Sequence, residues 1–247
     1  MSVVGYDLGA ETCVISVAHR RVINVMQNQT GKRKTPSIVA FQGKVRRFAD
    51  DALAEYMGNW KNSVRCIKRL IGRSFDDPEL KEEQAFLPHK MVKMPNGLIG
   101  MQLRYNDEEQ VFSAEQIMGA LFQELKTIAE LGLEGLKVAD CVIGVPVWWD
   151  DRQRIAIMDA AKIAGLNRTF ICIPSSRATR SDVLGVHLYF ACCLYSAATH
   201  ERDCSHCAVV RYVPTIARER CYQNYVHRLR PLEVSQTDLS WIQARVI

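Results

Sequence analysis

Near the start of the chain, the run Gly5-Tyr6-Asp7-Leu8-Gly9-Ala10-Glu11-Thr12-Cys13 sets an acid at the end of an apolar stretch with a glycine two residues later. That combination suits phosphate. Glycine lets backbone approach a ligand closely, and successive N–H groups at Ala10, Glu11 and Thr12 can point at phosphate oxygens. The Asp7 carboxylate can hold a magnesium ion through its water shell. Asp-Leu-Gly also occurs in turns that bind nothing, so on its own the run reads first as a structural turn. Further along, Lys68 and Arg69 precede Gly72 at the end of an apolar stretch; read alone, Lys68 is a solvated lysine in a helix's last turn, stabilised by the dipole. Pro146, after residues 141–145, reads alone as a strand terminator.

The elements that must position these groups follow from hydrophobic spacing. Residues 2–7 read as a buried strand, 8–11 as a turn around Gly9 and 13–18 as the returning strand, a β-hairpin. Residues 22–26 and 37–41 read as further strands, separated by a basic loop at 31–34. Residues 50–56 and 63–71 read as helices, the second closed by Gly72. Residues 91–94 and 100–105 flank the Pro95-Asn96-Gly97 turn, a hairpin signal. Ser113 and Gln116 form a capping box before a helix with Ile117, Leu121, Leu125 and Ile128 on one face. Residues 141–145 read as a strand, and 151–164 as a helix stopped by Gly165.

Composition bounds the possibilities. At 247 residues and 48% hydrophobic the chain can bury a sizeable core. No window reaches the eighteen or so consecutive apolar residues of a membrane span, and residues 1–5 show no charged-then-apolar leader, so no membrane partner is expected and the cytoplasm is the expected location. Nine cysteines, an odd count without a leader, argue for reduced thiols over a disulfide framework. Residues 1–167 hold 22 Lys+Arg against 21 Asp+Glu, whereas 168–247 hold ten Arg against six acids, no lysine and a single glycine, Gly185. Composition therefore shifts near Asn167.

The spacing of separate pieces carries more than any one of them. Gly5-x-Asp7-Leu8-Gly9, Thr35-Pro36-Ser37, Lys68-Arg69-Leu70-Ile71-Gly72-Arg73, Val145-Pro146 and Ile163-Ala164-Gly165-Leu166-Asn167 resemble, in order and position, the ATPase domains of the heat-shock protein 70 superfamily. Phe112-Ser113-x-Glu115-Gln116 and Asp151-Arg152-Gln153-Arg154 fit the same pattern. The resemblance covers residues 2–167 and implies an α/β fold: the first lobe of an actin-like (ribonuclease H-like) ATPase domain, a mixed sheet with flanking helices. It implies ATP and Mg as cofactors, with Asp7, Gly9, Ala10, Glu11 and Thr12 forming the phosphate turn and Asp7 holding Mg through water. It places Lys68 as the catalytic lysine, whose charge stabilises the charge spread over phosphoryl oxygens in the transition state. Pro146 and Arg154 fall on the family's interdomain switch proline and relaying arginine.

Within the superfamily the chain is similar to the larger, heat-shock protein 110 branch, whose members act as nucleotide-exchange factors. That implies shorter heat-shock protein 70 relatives and unfolded client proteins as partners. Two departures point to it. Ala10 and Glu11 stand where the shorter relatives usually carry threonines, removing two hydroxyls from the phosphates. A carboxylate ~4 Å from a phosphate oxygen costs ~4 kcal/mol at an effective dielectric near 20, so Glu11 is expected to turn away. Pro146-Val147-Trp148-Trp149 is also bulkier than the shorter relatives' sequence. Nucleotide binding is expected to tolerate these changes, and hydrolysis to be weak or absent.

The family pattern then stops. Where relatives continue with Asn-Glu-x-Thr-Ala-Ala and a Gly-rich second phosphate loop, residues 168–176 read Arg-Thr-Phe-Ile-Cys-Ile-Pro-Ser-Ser, with Pro174 near the place of the glutamate. The expectation is a first lobe at 1–167 and an unmatched tail at 168–247, irregular, disordered or read out of frame, leaving the nucleotide site half built. The alternative is an Arg-rich second domain. His200, Cys204, His206 and Cys207, with Cys192 and Cys193, could bind zinc beside an Arg-rich nucleic-acid contact. Cys204-x-x-Cys207 has no second well-spaced pair, so neither is expected. An active ATPase or sugar kinase of the same fold is the other reading, opposed by the missing loop and the lost threonines.

Overall fold

The chain opens with Val3–Leu8 (β1), Thr12–His19 (β2), Val22–Val25 (β3), Lys34–Pro36 (β4), Ile38–Gln42 (β5), Val45–Phe48 (β6) and the helix Ala49–Ala54 (α1). Ser63–Arg65 (β7), the short helix Ile67–Leu70 (α2) and Pro78–Gln84 (α3) precede the strands Lys90–Lys93 (β8), Ile99–Tyr105 (β9) and Glu108–Ser113 (β10). The long helix Ala114–Gly132 (α4) is followed by Asp140–Gly144 (β11), Asp151–Ile163 (α5), Arg168–Ile173 (β12) and Ala208–Val210 (β13). This computed structural model describes residues 3–19, 22–138, 140–166, 168–173 and 208–210.

β1 is apolar at every position except Asp7 and is buried on both faces, as a strand with neighbours on each side must be. It lies inside a seven-stranded sheet ordered β13-β12-β11-β1-β2-β3, with β4 also on β2. β1 pairs antiparallel with β2, Leu8 opposite Cys13, and parallel with β11, Asp7 opposite Gly144. β11 and β12 are parallel, joined through α5 as parallel strands require. The sheet thus continues past Asn167, where the sequence pattern fades: Ile171 and Cys172 are buried in β12. Two three-stranded sheets, β10-β9-β8 and β6-β5-β7, complete the mixed α/β architecture that the sequence implies.

α4 carries the core. Its N-terminus is closed by the expected capping box, in which the Ser113 hydroxyl accepts from the Gln116 amide at 3.2 Å and the Gln116 side chain accepts from the Ser113 amide at 2.9 Å. Ile117, Leu121, Leu125 and Ile128 are buried as the spacing predicts. The Phe122 ring lies 5.9 Å from the fully buried Tyr6 ring, which fastens the helix to β1. α5 has a second capping box, Asp150 with Gln153, and packs on α4 at Gly119, where an added Cβ would sit 2.8 Å from Ile163 Cγ2.

The predicted helix over 63–71 is corrected. Residues 63–65 instead form β7, with Val64 opposite Val39, and Cys66 adopts a left-handed φ of 55° that leaves only four residues for α2. Pairing with β5 outweighs the weak local helix preference of this stretch. β10 and α3 lie outside the sequence reading. Asn106 and Asp107 both take positive φ, 58° and 64°, in the two-residue turn before β10. Asp77 caps α3, with Pro78 at its first position.

The basic loop is pinned by Asn28, whose side-chain oxygen accepts from the Thr30 and Lys32 amides at 3.1 and 2.9 Å. Its amide donates to Asp50 at 2.5 Å, and Lys32 pairs with Asp50 at 2.8 Å. Residues 28–30, β6, the start of α1 and Glu124 and Ile128 of α4 line a cavity of about 280 Å³. Cys13, Cys66 and Cys141 are free thiols, as expected, but Cys172 is disulfide-bonded, which corrects the reduced-thiol reading at that position. Among the described residues no helix is long and apolar enough to cross a membrane. Residues 183–198, an apolar run without clear caps or alternation in the sequence, Pro174 and the His200, Cys204, His206 and Cys207 group with Cys192 and Cys193 lie outside the described residues.

His89, between α3 and β8, is 5% exposed, and neither ring nitrogen has a partner among the described residues. Burial lowers its imidazolium pKa to about 4, against roughly 6.5 in an unfolded chain. Between those values the unfolded state binds more protons, so stability falls as pH drops from about 6.5 toward 4 and is unaffected by this group above that range. Lowering pH from 6.5 to 5 is expected to remove about 2 kcal/mol through His89. Urea midpoints of the wild type and His89→Leu at the two pH values measure it; an equal pH loss in both proteins would sink the assignment.

Candidate functional site

The C-terminal ends of β1 and β11 emerge side by side, because the two strands are parallel and in register through Asp7 and Gly144. Crevices at such ends are where open α/β sheets bind ligands. On the β1 side, the Gly9 amide donates to the Thr12 carbonyl at 3.0 Å, closing the hairpin as predicted. An added Cβ at Gly9 would lie 2.2 Å from that carbonyl oxygen, so only glycine fits this turn. The Glu11 carbonyl accepts from the Ser37 amide at 2.8 Å, which ties the turn to the start of β5. The amides of Ala10 and Glu11 have no protein partner among the described residues. Ala10 is half-buried, while Glu11 and Thr12 are exposed.

Asp7 is half-buried at the penultimate position of β1. Burial pushes its carboxyl above the ordinary carboxylate range, and the Lys68 ammonium partly opposes that shift. Lys68 sits on α2, half-buried, and its Nζ donates to the Leu8 carbonyl. Desolvation lowers its pKa, with the Asp7 charge acting in the opposite direction. The residue-only reading of Lys68 as a solvated group in a helix's last turn is therefore corrected. α2 is a single turn, and the ammonium is turned toward the β1 hairpin. Cys13, opposite Leu8, is fully buried, and its thiol is pushed up to about 11 mainly by desolvation.

On the β11 side, Pro146 is buried just past the strand end, and its carbonyl accepts from the Trp149 amide at 3.3 Å. The Arg154 guanidinium donates to the Val147 carbonyl at 3.3 Å, while its Nε is buried without a partner among the described residues. Arg154, in the first turn of α5, thus reaches back to the residue after Pro146. Asp7, Gly9, Ala10, Glu11, Thr12 and Lys68 form a second group. Among the described residues no hydrogen bond joins Arg154 to Lys68.

Over residues 3–173 the sequence matches the family described as Hsp70 protein. The chain belongs to the Hsp70 family. This Hsp70-family chain is 45% identical over 167 residues to Heat shock 70 kDa protein 14 of Arabidopsis thaliana, covering 68% of the chain and 20% of that relative. It is 38% identical over 189 residues to human Heat shock 70 kDa protein 4L, covering 76% of the chain and 22% of the relative. The 97 kDa heat shock protein of Strongylocentrotus purpuratus is 41% identical over 167 residues, 68% of the chain and 19% of its own length. The chain thus spans about a fifth of the length of these relatives. The mixed sheet is accordingly the first lobe of the actin-like Hsp70 ATPase fold, and the family match ends with β12, past Asn167.

Sequence reasoning placed Ser37 in the family pattern but passed over its role, its amide holding the Glu11 carbonyl. It also passed over the Asp150–Gln153 box that fixes the start of α5 beside Pro146. The second had a readable signal, the same spacing as Ser113 and Gln116. The Gly9 turn gives a direct test. Gly9→Ala forces backbone apart at the Thr12 carbonyl and is expected to destabilise the protein by roughly 1–3 kcal/mol in urea unfolding. A variant as stable as the wild type would mean that the turn has the room which the geometry denies it.

Proposed function

We propose that this chain supplies the phosphate-gripping lobe of an ATP-binding chaperone of the larger Hsp70 branch, one that works as a nucleotide-exchange factor for shorter relatives and through binding rather than hydrolysis. The observation that carries the reading is the meeting of Lys68, Asp7 and the Gly9 turn at one strand end, with the Ala10 and Glu11 amides left without protein partners.

The residues fit a magnesium–nucleotide complex. The turn at Gly9 has no space for a side chain, which is the property of a cradle that lets backbone reach phosphate. The Ala10, Glu11 and Thr12 amides would face phosphate oxygens, the Asp7 carboxylate would hold Mg through water, and the Lys68 ammonium would face the terminal phosphate. Bound ATP supplies the negative charge that both Lys68 and a magnesium ion attract. Ala10 lacks the hydroxyl of the shorter relatives, and the Glu11 carboxylate opposes further negative charge. Both favour holding nucleotide over turning it over. A member about as large as the 97 kDa relative has length beyond this lobe for a second lobe and a client-binding region. Shorter Hsp70 relatives and unfolded clients, in the cytoplasm, are the partners this reading assigns.

Two measurements bear on it. The residues of this chain contact one side of a triphosphate, so calorimetry on the 247-residue chain is expected to show little heat at micromolar ATP. Tight, magnesium-dependent binding, or hydrolysis lost in Lys68→Ala, would overturn the half-site reading. For exchange, residues 3–173 can be grafted in place of the matching stretch of the Arabidopsis relative, with the ungrafted parent as control. Release of labelled ADP from a shorter relative is expected to accelerate and to stay fast in Lys68→Met. No acceleration where the parent gives it would count against the proposal.

A further inference from the structure

Gly72 follows α2 immediately after Ile71, and its surroundings differ from those of the other left-handed glycines. Its φ is +69°, and an added Cβ would lie 2.5 Å from Gln153 Cα, 2.8 Å from Gln153 N and 3.0 Å from the Arg152 carbonyl carbon. All three are backbone atoms of the first turn of α5. Gly31, Gly43 and Gly97 also have positive φ, yet an added Cβ at each meets nothing within 4 Å. The conformation at Gly72 therefore accompanies a backbone-to-backbone contact, not merely a bend in the chain.

Both sides of this contact are stiff. The first turn of α5 is braced by the Asp150–Gln153 capping box, with Asp150 Oδ1 accepting from the Gln153 amide at 2.9 Å and the Gln153 side chain accepting from the Asp150 amide at 3.2 Å. Gln153 is itself 8% exposed, and Arg154 follows it, reaching back to Val147 beside Pro146. On the other side, Ile67, Leu70 and Ile71 are fully buried, so α2 cannot slide without breaking core packing. Lys68 projects from this same turn onto the Leu8 carbonyl.

We propose that Gly72 is a positioning residue, the contact through which the start of α5, and with it the Pro146–Arg154 segment, sets where Lys68 stands against the β1 hairpin. The proposal rests on the reading of Lys68 as the phosphate-facing lysine, but the contact can be tested without nucleotide. With no side chain at Gly72, the two backbones touch directly, and a displacement of the α5 start is passed to α2 and carried to the Lys68 ammonium. A larger residue would wedge α2 away from α5 and draw Lys68 off Leu8.

The test reads the Leu8 carbonyl carbon by NMR, through its correlation to the Gly9 amide, because a charged donor on that oxygen changes its chemical shift. Lys68→Met, which removes the donor, marks the endpoint. Gly72→Ala is expected to move the Leu8 carbonyl most of the way to that endpoint. Gly43→Ala carries the same left-handed strain with open space around it and is expected to leave the Leu8 carbonyl at its wild-type shift. A folded Gly72→Ala protein with the wild-type shift would overturn the proposal, as would a Gly43→Ala protein that moves equally far. Should Gly72→Ala fail to fold, Asp150→Ala, which loosens only the α5 cap, is expected to move the Leu8 carbonyl part of the way in the same direction, and an unmoved signal would again overturn it. Absence of ADP-release acceleration in the graft bears on the phosphate reading instead, so the two failures are distinguishable.

Discussion

A half-buried ammonium on a backbone carbonyl is the interaction on which the site depends. Lys68 cannot leave water without a partner, and the Leu8 carbonyl supplies one at the point where β1 ends and the Gly9 turn begins. Asp7 lies beside it, and the two groups shift each other's protonation in opposite directions to burial. Each charge is tolerable because the other is near. The pair therefore resists separation, and any ligand carrying negative charge and a metal cation finds a donor and an acceptor already side by side.

Keeping that pair in place is the work of the sheet. β1 has neighbours on both edges, β2 antiparallel and β11 parallel, and Tyr6 lies against Phe122 on α4. A strand held in this way has little freedom along its axis, since a slip of one residue would turn Asp7 onto the face packed against Phe122 and take Tyr6 off it. α2 is too short to be stable as an isolated helix. Its position is borrowed from β7 on one side, which pairs with β5, and from the close approach at Gly72 on the other. The lysine is placed by two non-local contacts rather than by the helix that carries it.

One of the two departures on which the proposed function draws falls at the same turn. Ala10 brings no hydroxyl and Glu11 brings a negative charge at positions whose backbone amides have no protein partner among the described residues. Glu11 lies exposed, in keeping with the electrostatic penalty that a carboxylate would meet beside phosphate.

Local signals by themselves determined much of this protein. The β1–β2 hairpin, the capping box at Ser113, the apolar face of α4, the β8–β9 hairpin around Pro95-Asn96-Gly97 and the strand before Pro146 all depend on residues a few positions apart, and each was legible. The family resemblance singled out Lys68, Pro146 and Arg154. The tertiary structure alone decided that residues 63–71 break at Cys66, because the competing partner, β5, lies more than twenty residues upstream. It alone decided that Lys68 turns to Leu8, sixty residues away in the chain, and that Gly72 touches the backbone of Gln153. Propensity and periodicity record what a segment prefers in isolation. Which preference prevails depends on the burial and pairing that arise only when distant segments meet.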